Sequence, residues 1–256
     1  MMNGPSVIIP TLNEAAHIRQ SVEFARDDGA LEVLVVDGGS TDPTCRIARA
    51  AGARVLDAPA GRARQMNAGA AAARGTILLF LHADTKLPLG YVSEVERMLC
   101  DPSVILGAFR LEIDHPGRVF RLIEFGANLR SRRLGLPYGD QALCVRAEGF
   151  RRLGGFPDLC FMEDYEFVRR ARRAGRVVTA GTAVRTSPRR WTSRGAVRLT
   201  LIHQACIVAY RLGVAPARMA RWRDRGFTWR PLAFNDNAGY EGARSVEDTG
   251  WKPAPY

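Results

Sequence analysis

The chain predicts an α/β fold, a mainly parallel mixed sheet with helices on both faces. Two observations lead there. Short apolar runs that read as strands begin near residues 6, 32, 53 and 76, and a segment of helical periodicity stands between each pair. That alternation builds parallel strands joined by right-handed crossovers. The second observation is the run Ile77-Leu78-Leu79-Phe80-Leu81, which passes directly into His82-Ala83-Asp84. An apolar run bounded by Gly75 and a polar loop reads as a strand buried on both faces. In open α/β sheets, ligands bind beyond the carboxyl ends of such strands. Oxygen and imidazole groups at that place suit Mg²⁺ or Mn²⁺ bridging to a substrate's phosphates. The other reading of Asp84 is a plain cap on the segment that follows.

The elements follow in order. Ser6 to Ile9 is the first strand, stopped by Pro10, and Asn13 or Thr11 caps a helix that sets Ile18, Val22 and Ala25 on one face. Glu32 to Val36 is the second strand. It ends in Asp37-Gly38-Gly39-Ser40-Thr41-Asp42-Pro43, where Asp42 before Pro43 starts a helix that Gly52 closes. Ala53 to Leu56 is a strand, and Arg62 to Ala73 an alanine-rich helix. Beyond Pro88 come a helix from about Tyr91 to Leu99, a strand from Val104 to Ile113 and a basic amphipathic helix from Arg118 to Arg133. Gly139 to Arg146 reads as a short strand before the turn Gly154-Gly155-Phe156-Pro157. Glu163 and Asp164 open a helix that runs to Ala174, at the end where the macrodipole favours anions. Val177 to Ala180 is a last strand, Ser187-Pro188-Arg189-Arg190-Trp191 a basic turn, and residues 195–223 a helical amphipathic segment. Residues 231–256, rich in Gly, Asn, Asp and Pro, read as an irregular tail.

Composition narrows the function classes. The net charge of +11, mostly arginine, calls for an acidic partner: nucleotide phosphate, nucleic acid or an anionic membrane surface. Five cysteines stand far apart with no CxxC pair, which argues against a disulfide framework or a zinc site and for a reducing cytosol. No signal peptide is expected at the N-terminus. The longest apolar stretch, Leu199 to Ala215, is broken by His203, Gln204 and Arg211, so no membrane-spanning helix is expected. Where a dinucleotide fold carries GxGxxG, this chain reads Pro10-Thr11-Leu12-Asn13-Glu14, and a P-loop pattern is missing too. No nucleic-acid-binding module is present, and the arginines are rarely interleaved with aromatics.

Taken together, Ser6 to Glu14, Val36 to Asp42, Gly61 to Gly69, Leu81 to Asp84, Gly154 to Phe156 and Met162 to Asp164 resemble the family 2 glycosyltransferases over about residues 5–195. Within that family the chain is similar to a small soluble bacterial branch. The resemblance implies a nucleotide-diphospho-sugar transferase (GT-A type) domain, with a nucleotide-binding half over about 5–100 and an acceptor half over about 101–195. A helical segment at 196–230 and the tail would follow. It implies a metal-dependent hexosyltransferase whose donor is a nucleotide-diphosphate sugar. Pro10, Thr11 and Glu14 would line base and ribose, and Asp37 would hold the base. Arg62 and Arg64 would face the diphosphate, with Ala83 and Arg190 also against the donor. Asp84 would bind the divalent cation (Mg²⁺ or Mn²⁺), with His82 as a weaker or indirect ligand. Asp164 would be the general base. Three positions depart from the family pattern: Gly38 replaces a second acid, His82 replaces the first acid of the DxD signature, and Ser187 stands at the glutamine position of QxxRW. Processive polymer synthesis is therefore not expected.

The chemistry suits these residue types. A cation and arginines stabilise charge on the leaving diphosphate, and a carboxylate takes the acceptor's proton. One base and one displacement imply inversion. The acceptor is unspecified; a lipid-linked acceptor is admitted, with peripheral contact of the 118–133 and 195–223 helices at the inner face of a membrane. Two ordinary packed helices or a homodimer contact are the alternative for those segments. Two other functions stay open: a nucleotidyltransferase on the same fold, whose glycine-rich basic loop is missing at Pro10–Glu14, and a basic nucleotide- or nucleic-acid-binding protein without catalysis.

Overall fold

A computed structural model describes residues 4–219. Its first half alternates β1 (Ser6–Thr11), α1 (Ile18–Asp27), β2 (Glu32–Asp37), α2 (Thr44–Ala50), β3 (Arg54–Asp57), α3 (Arg62–Ala72) and β4 (Ile77–Phe80), with the four strands parallel. The second half adds β5 (Thr85–Lys86), α4 (Tyr91–Leu99), β6 (Val104–Ile113), α5 (Arg118–Leu134), β7 (Leu143–Arg146), α6 (Ala147–Arg152), α7 (Glu163–Ala174), β8 (Arg176–Thr186), α8 (Arg189–Arg194) and α9 (Ala196–Arg211). One sheet takes the order β3-β2-β1-β4-β7-β6-β8-β5. β7 is antiparallel to β4 and β6, while β8 runs parallel to β6. The sheet is thus mixed and mainly parallel, as the sequence predicts. Because β2 lies on one side of β1 and β4 on the other, the chain reverses direction of travel at β1/β4. That is the switch point where such sheets open a crevice at their carboxyl ends.

Side chains alternate across each strand, so the apolar runs feed two cores. Val7, Ile9, Val35 and Leu79 pack with Ile18 and Val22 of α1 and with Tyr91 and Val95 of α4. Ile8, Leu34, Val36 and Phe80 pack on the other face against Met66 of α3 and Phe167 and Val168 of α7. Each fully buried Ile, Leu or Phe contributes about 1.5–3 kcal/mol. At Gly69 of α3 a Cβ would lie 2.5 Å from Cγ2 of Ile8, so a glycine is needed where α3 crosses β1.

Several boundaries differ from expectation. Pro10 lies inside β1 rather than stopping it. The carbonyl of Ile8 accepts from Leu81 N at 2.9 Å, and the nitrogen two residues on faces the same side, beyond Phe80 where the β4 pairing ends. Neither Asn13 nor Thr11 caps α1, which has no side-chain cap. Asn13, at φ 56°, instead binds the amide of Thr41. Residues 139–146 open with a 3₁₀ turn over Gly139–Gln141 before β7. The last strand is longer than Val177–Ala180. The 195–223 segment divides into α9 and a turn at Leu212-Gly213. On α9, Leu199 and Cys206 are buried on one side, while Val197, Leu201 and Val208 are exposed on another. Residues 220–223 of that segment and the 231–256 tail lie outside the described residues. Among the described residues, no helix is long and apolar enough to cross a membrane.

Candidate active site

The loops after β1 and β2 build one wall. Asp37 is buried, and its carboxylate accepts from the amides of Gly39 (2.9 Å) and Ser40 (2.7 Å) and from Ser40 Oγ. Burial pushes its pKa up, but the hydrogen bonds from Ser40 and Gly39 outweigh burial and hold it below the usual carboxylate range. Asn13 and Asp42 cross-link the two loops, onto Thr41 N at 2.9 Å and Ala15 N at 3.1 Å. Behind them, Gln65 Nε2 donates to the carbonyls of Thr11 (2.7 Å) and Val36 (2.8 Å), clamping the ends of β1 and β2 together. This explains Gly38: a Cβ there would sit 3.0 Å from that Nε2.

The second wall is brought in by long-range pairing. β5 follows Asp84 and pairs antiparallel with the end of β8, so Thr85 faces Thr186. This carries the basic turn onto the strand-end acid. Arg189 Nε binds Asp84 Oδ2 at 2.9 Å, and its Nη2 pairs with Glu14 Oε1. Glu14 Oε2 is buried with no hydrogen-bond partner. Ala83 is held through its carbonyl by Ser21 Oγ at 2.7 Å.

The third group comes from α3, the 3₁₀ turn and α7. Arg62 Nε lies 3.3 Å from Glu163 Oε1, and its Nη2 lies 2.5 Å from His82 Nε2. A guanidinium has only hydrogens to offer, so Nε2 of His82 accepts. Burial first, then Arg62, Arg190 and Arg189, holds the His82 pKa well below its ordinary value, which keeps the ring neutral at pH 7. Asp164 Oδ2 accepts from Gly139 N at 2.8 Å and its Oδ1 from Tyr165 N at 2.7 Å, which fixes the carboxylate at the start of α7. The residue before this helix, Met162, has φ 71°, a left-handed conformation uncommon outside glycine. Asp140 lies nearby with Oδ1 buried and unpartnered. Burial pushes its pKa up, Asp164 adds to the shift, and Arg130 and Arg62 oppose it. Tyr138 is stacked 3.3 Å beneath the Arg130 guanidinium.

Arg62, His82, Asp84, Asp140, Glu163, Asp164 and Arg190 all line one cleft of about 140 Å³. Pro10, Thr11, Glu14, Asp37 and Ala83 are not among the residues that line it. Arg64 forms a bidentate pair with Asp158 (Nε to Oδ1, 2.9 Å) and is not among the residues that line the cleft. Residues two apart on a helix do not face each other, and Arg62 and Arg64 of α3 take different partners, Glu163 and Asp158. Three residues were not singled out from sequence: Gln65, Asp140 and Arg189. The last stands next to Arg190, and the polar triplet Gly139-Asp140-Gln141 between apolar runs is the signal that marks Asp140 as a loop residue. The motif Gly154-Gly155-Phe156 acts at one remove. Phe156 N and O bind Asn67 of α3 at 3.0 and 2.8 Å, and its ring packs into the Phe80–Phe150–Phe167 cluster beneath the cleft.

Among the described residues no cluster of three ligating side chains is present. Mg²⁺ is characteristically held by one or two carboxylates plus substrate phosphates. Asp84 together with the unpartnered Glu14 Oε2 fits that kind of site.

A sheet of this order with acids and arginines at its carboxyl edge is a nucleotide-diphospho-sugar transferase fold of GT-A type. It superposes on a mannosyltransferase from Pyrobaculum calidifontis, solved in complex with GDP-Man and Mn²⁺, with TM-score 0.67 and 21% identity over 87% of this chain and 70% of that one. It also superposes on glucosyl-3-phosphoglycerate synthase from Mycobacterium tuberculosis in complex with phosphoglyceric acid, with TM-score 0.53 and 23% identity over 72% and 70%. The chain belongs to glycosyl transferase family 2, whose model matches residues 6–153. Curated relatives include a PGL/p-HBAD biosynthesis glycosyltransferase of Mycobacterium bovis, 44% identical over 91 residues, 32% of this chain and 36% of that protein. A pre-mycofactocin glycosyltransferase of Mycobacterium tuberculosis is 28% identical over 214 residues, 73% and 42% respectively. The chain thus spans less than half the length of these curated relatives.

Proposed function

We propose that this protein moves a hexosyl unit, with inversion, from a nucleotide-diphosphate sugar to an acceptor hydroxyl. The observation that carries this reading is that Asp84 from the end of β4 and Asp164 from the start of α7 line one cleft together with Arg62. Sugar transfer needs both parts: positive charge where the diphosphate leaves and a carboxylate where the acceptor attacks. Arg62 and Arg190 supply charge toward the diphosphate. Pro10, Thr11 and the loop shaped by Asp37 offer the surface for base and ribose. Asp84 and Glu14 would hold Mg²⁺ or Mn²⁺, which when bound supplies further charge stabilisation on the leaving diphosphate. His82 stays neutral and orients Arg62.

Asp164 is the base in this scheme. Its carboxylate is fixed by two backbone amides, and carboxylate oxygens have about four lone-pair sites between them, so sites remain to accept the acceptor's proton. Glu163, its neighbour, pairs with Arg62. The donor class is tested by thermal shift with a panel of nucleotide sugars in Mn²⁺ or EDTA. A ligand that binds the native state raises stability by mass action. The reading predicts a shift with at least one nucleotide sugar that EDTA diminishes; no shift across the panel contradicts it.

A further inference from the structure

A groove of about 620 Å³ runs between α5 and α9. Along α5 and α9 the walls carry exposed aliphatic side chains: Leu122, Leu134, Val197, Leu201 and Val208 line it, and each is more than half exposed. Contiguous exposed apolar surface of this kind marks a binding site. The volume lies within the range of about 300–1,000 Å³ typical of ligand pockets. One end of the groove is not separate from the cleft. Tyr138, Asp140, Tyr165, Trp191, His203 and Ile207 line both. The two arginines along it sit at that shared end: Arg130 is stacked on Tyr138, and Arg211 Nε donates to Tyr165 Oη at 2.8 Å.

We infer that this groove holds the hydrocarbon tail of an amphiphilic acceptor, whose hydroxyl-bearing head reaches the carboxylates of the cleft. This rests on the transfer reading above. Continuity with the cleft selects the occupant, because a chain lying in the groove points its polar end at Asp140 and Asp164.

Gly126 gives a clean test. It lines the groove in the middle of α5, and a Cβ there would meet nothing within 4 Å. Gly126→Trp therefore introduces an indole into the groove from a position with room at Cβ, and replacing glycine favours the helix. Leu201→Asp is a second, independent block. The probe is 11-(dansylamino)undecanoate, whose fluorescence rises on entering an apolar site, titrated into the full chain. Thermal shift by UDP and GDP with Mn²⁺ is measured on the same samples. We expect saturable probe binding to the wild type, weakened at least tenfold in both variants, with the nucleotide shift unchanged. No binding to the wild type, or equal binding to all three proteins, overturns the proposal. So does a wild-type dimer in sedimentation velocity that Leu201→Asp converts to monomer, since a second copy would then be the occupant. Probe binding that the variants abolish, with no nucleotide shift in any protein, would break the transfer reading and leave the apolar site standing.

Discussion

Arg189 is the cation that this fold places between Glu14 and Asp84, and Arg189→Gln tests what it does there. The side chains of Glu14 and Asp84 are only 14% and 9% exposed, and Arg189 is 36% exposed. Removing one partner of a fully buried pair costs about 3–5 kcal/mol. Partial exposure of Arg189 lets water screen the loss, so about 2 kcal/mol is expected here. For a protein of this size each kcal/mol moves the melting temperature by about 2–4 °C, so Arg189→Gln should melt about 4–8 °C lower in EDTA. The same substitution removes the competitor for a divalent cation at Asp84 and Glu14 Oε2. Millimolar Mn²⁺ should therefore raise the melting temperature of the variant more than that of the wild type. Differential scanning fluorimetry with and without Mn²⁺ reads both effects. A variant as stable as the wild type in EDTA, or one with no larger response to Mn²⁺, would refute the assignment of these two carboxylates as a cation site.

Other outcomes follow from the same geometry. Glu32 accepts from Ser6 Oγ (2.9 Å) and Arg74 N (2.6 Å); burial pushes its pKa up, but these bonds and Arg74 hold it below the ordinary value. Its folded-state pKa is depressed, so its contribution is present above the unfolded pKa of about 4.3 and lost as pH falls through the folded value. Glu32→Gln should cost about 1–3 kcal/mol at pH 7 in urea denaturation, and the difference between the two proteins should shrink as pH falls below the unfolded pKa of about 4.3. Gly38→Asp, which places a second acid beside Asp37, should lose about 1–3 kcal/mol, because its Cβ meets the Gln65 amide at 3.0 Å. Gln65→Ala in the same background should relieve that clash, as a double-mutant cycle would show.

Strands buried on both faces were legible because their apolar runs are short and sharply bounded, as Ile77–Leu81 shows. The alternation of those runs with helices carries the parallel half of the sheet. What was not legible is long-range. Thr85-Lys86 has no pattern of its own, and it becomes β5 only because the end of β8 lies alongside it. That pairing decides that Arg189, not Arg190, meets Asp84. Asp140 falls within an expected strand over residues 139–146, although the polar triplet Gly139-Asp140-Gln141 marks the turn that holds it. Arg64 stands two positions from Arg62 on α3, and its side chain pairs with Asp158 while that of Arg62 pairs with Glu163.

The central claim is that Asp164 takes the acceptor's proton, and the rate of nucleoside diphosphate release in Asp164→Asn tests it most directly. The assay uses whichever nucleotide sugar the thermal shift identifies, with a transferable acceptor. General-base loss lowers rate by about 10²–10⁴-fold. The account predicts a fall in kcat of that size with the donor KM nearly unchanged, and milder effects for Glu163→Gln. An Asp164→Asn protein that turns over within about threefold of the wild type, or an Asp140→Asn protein that alone shows the full loss, would contradict it.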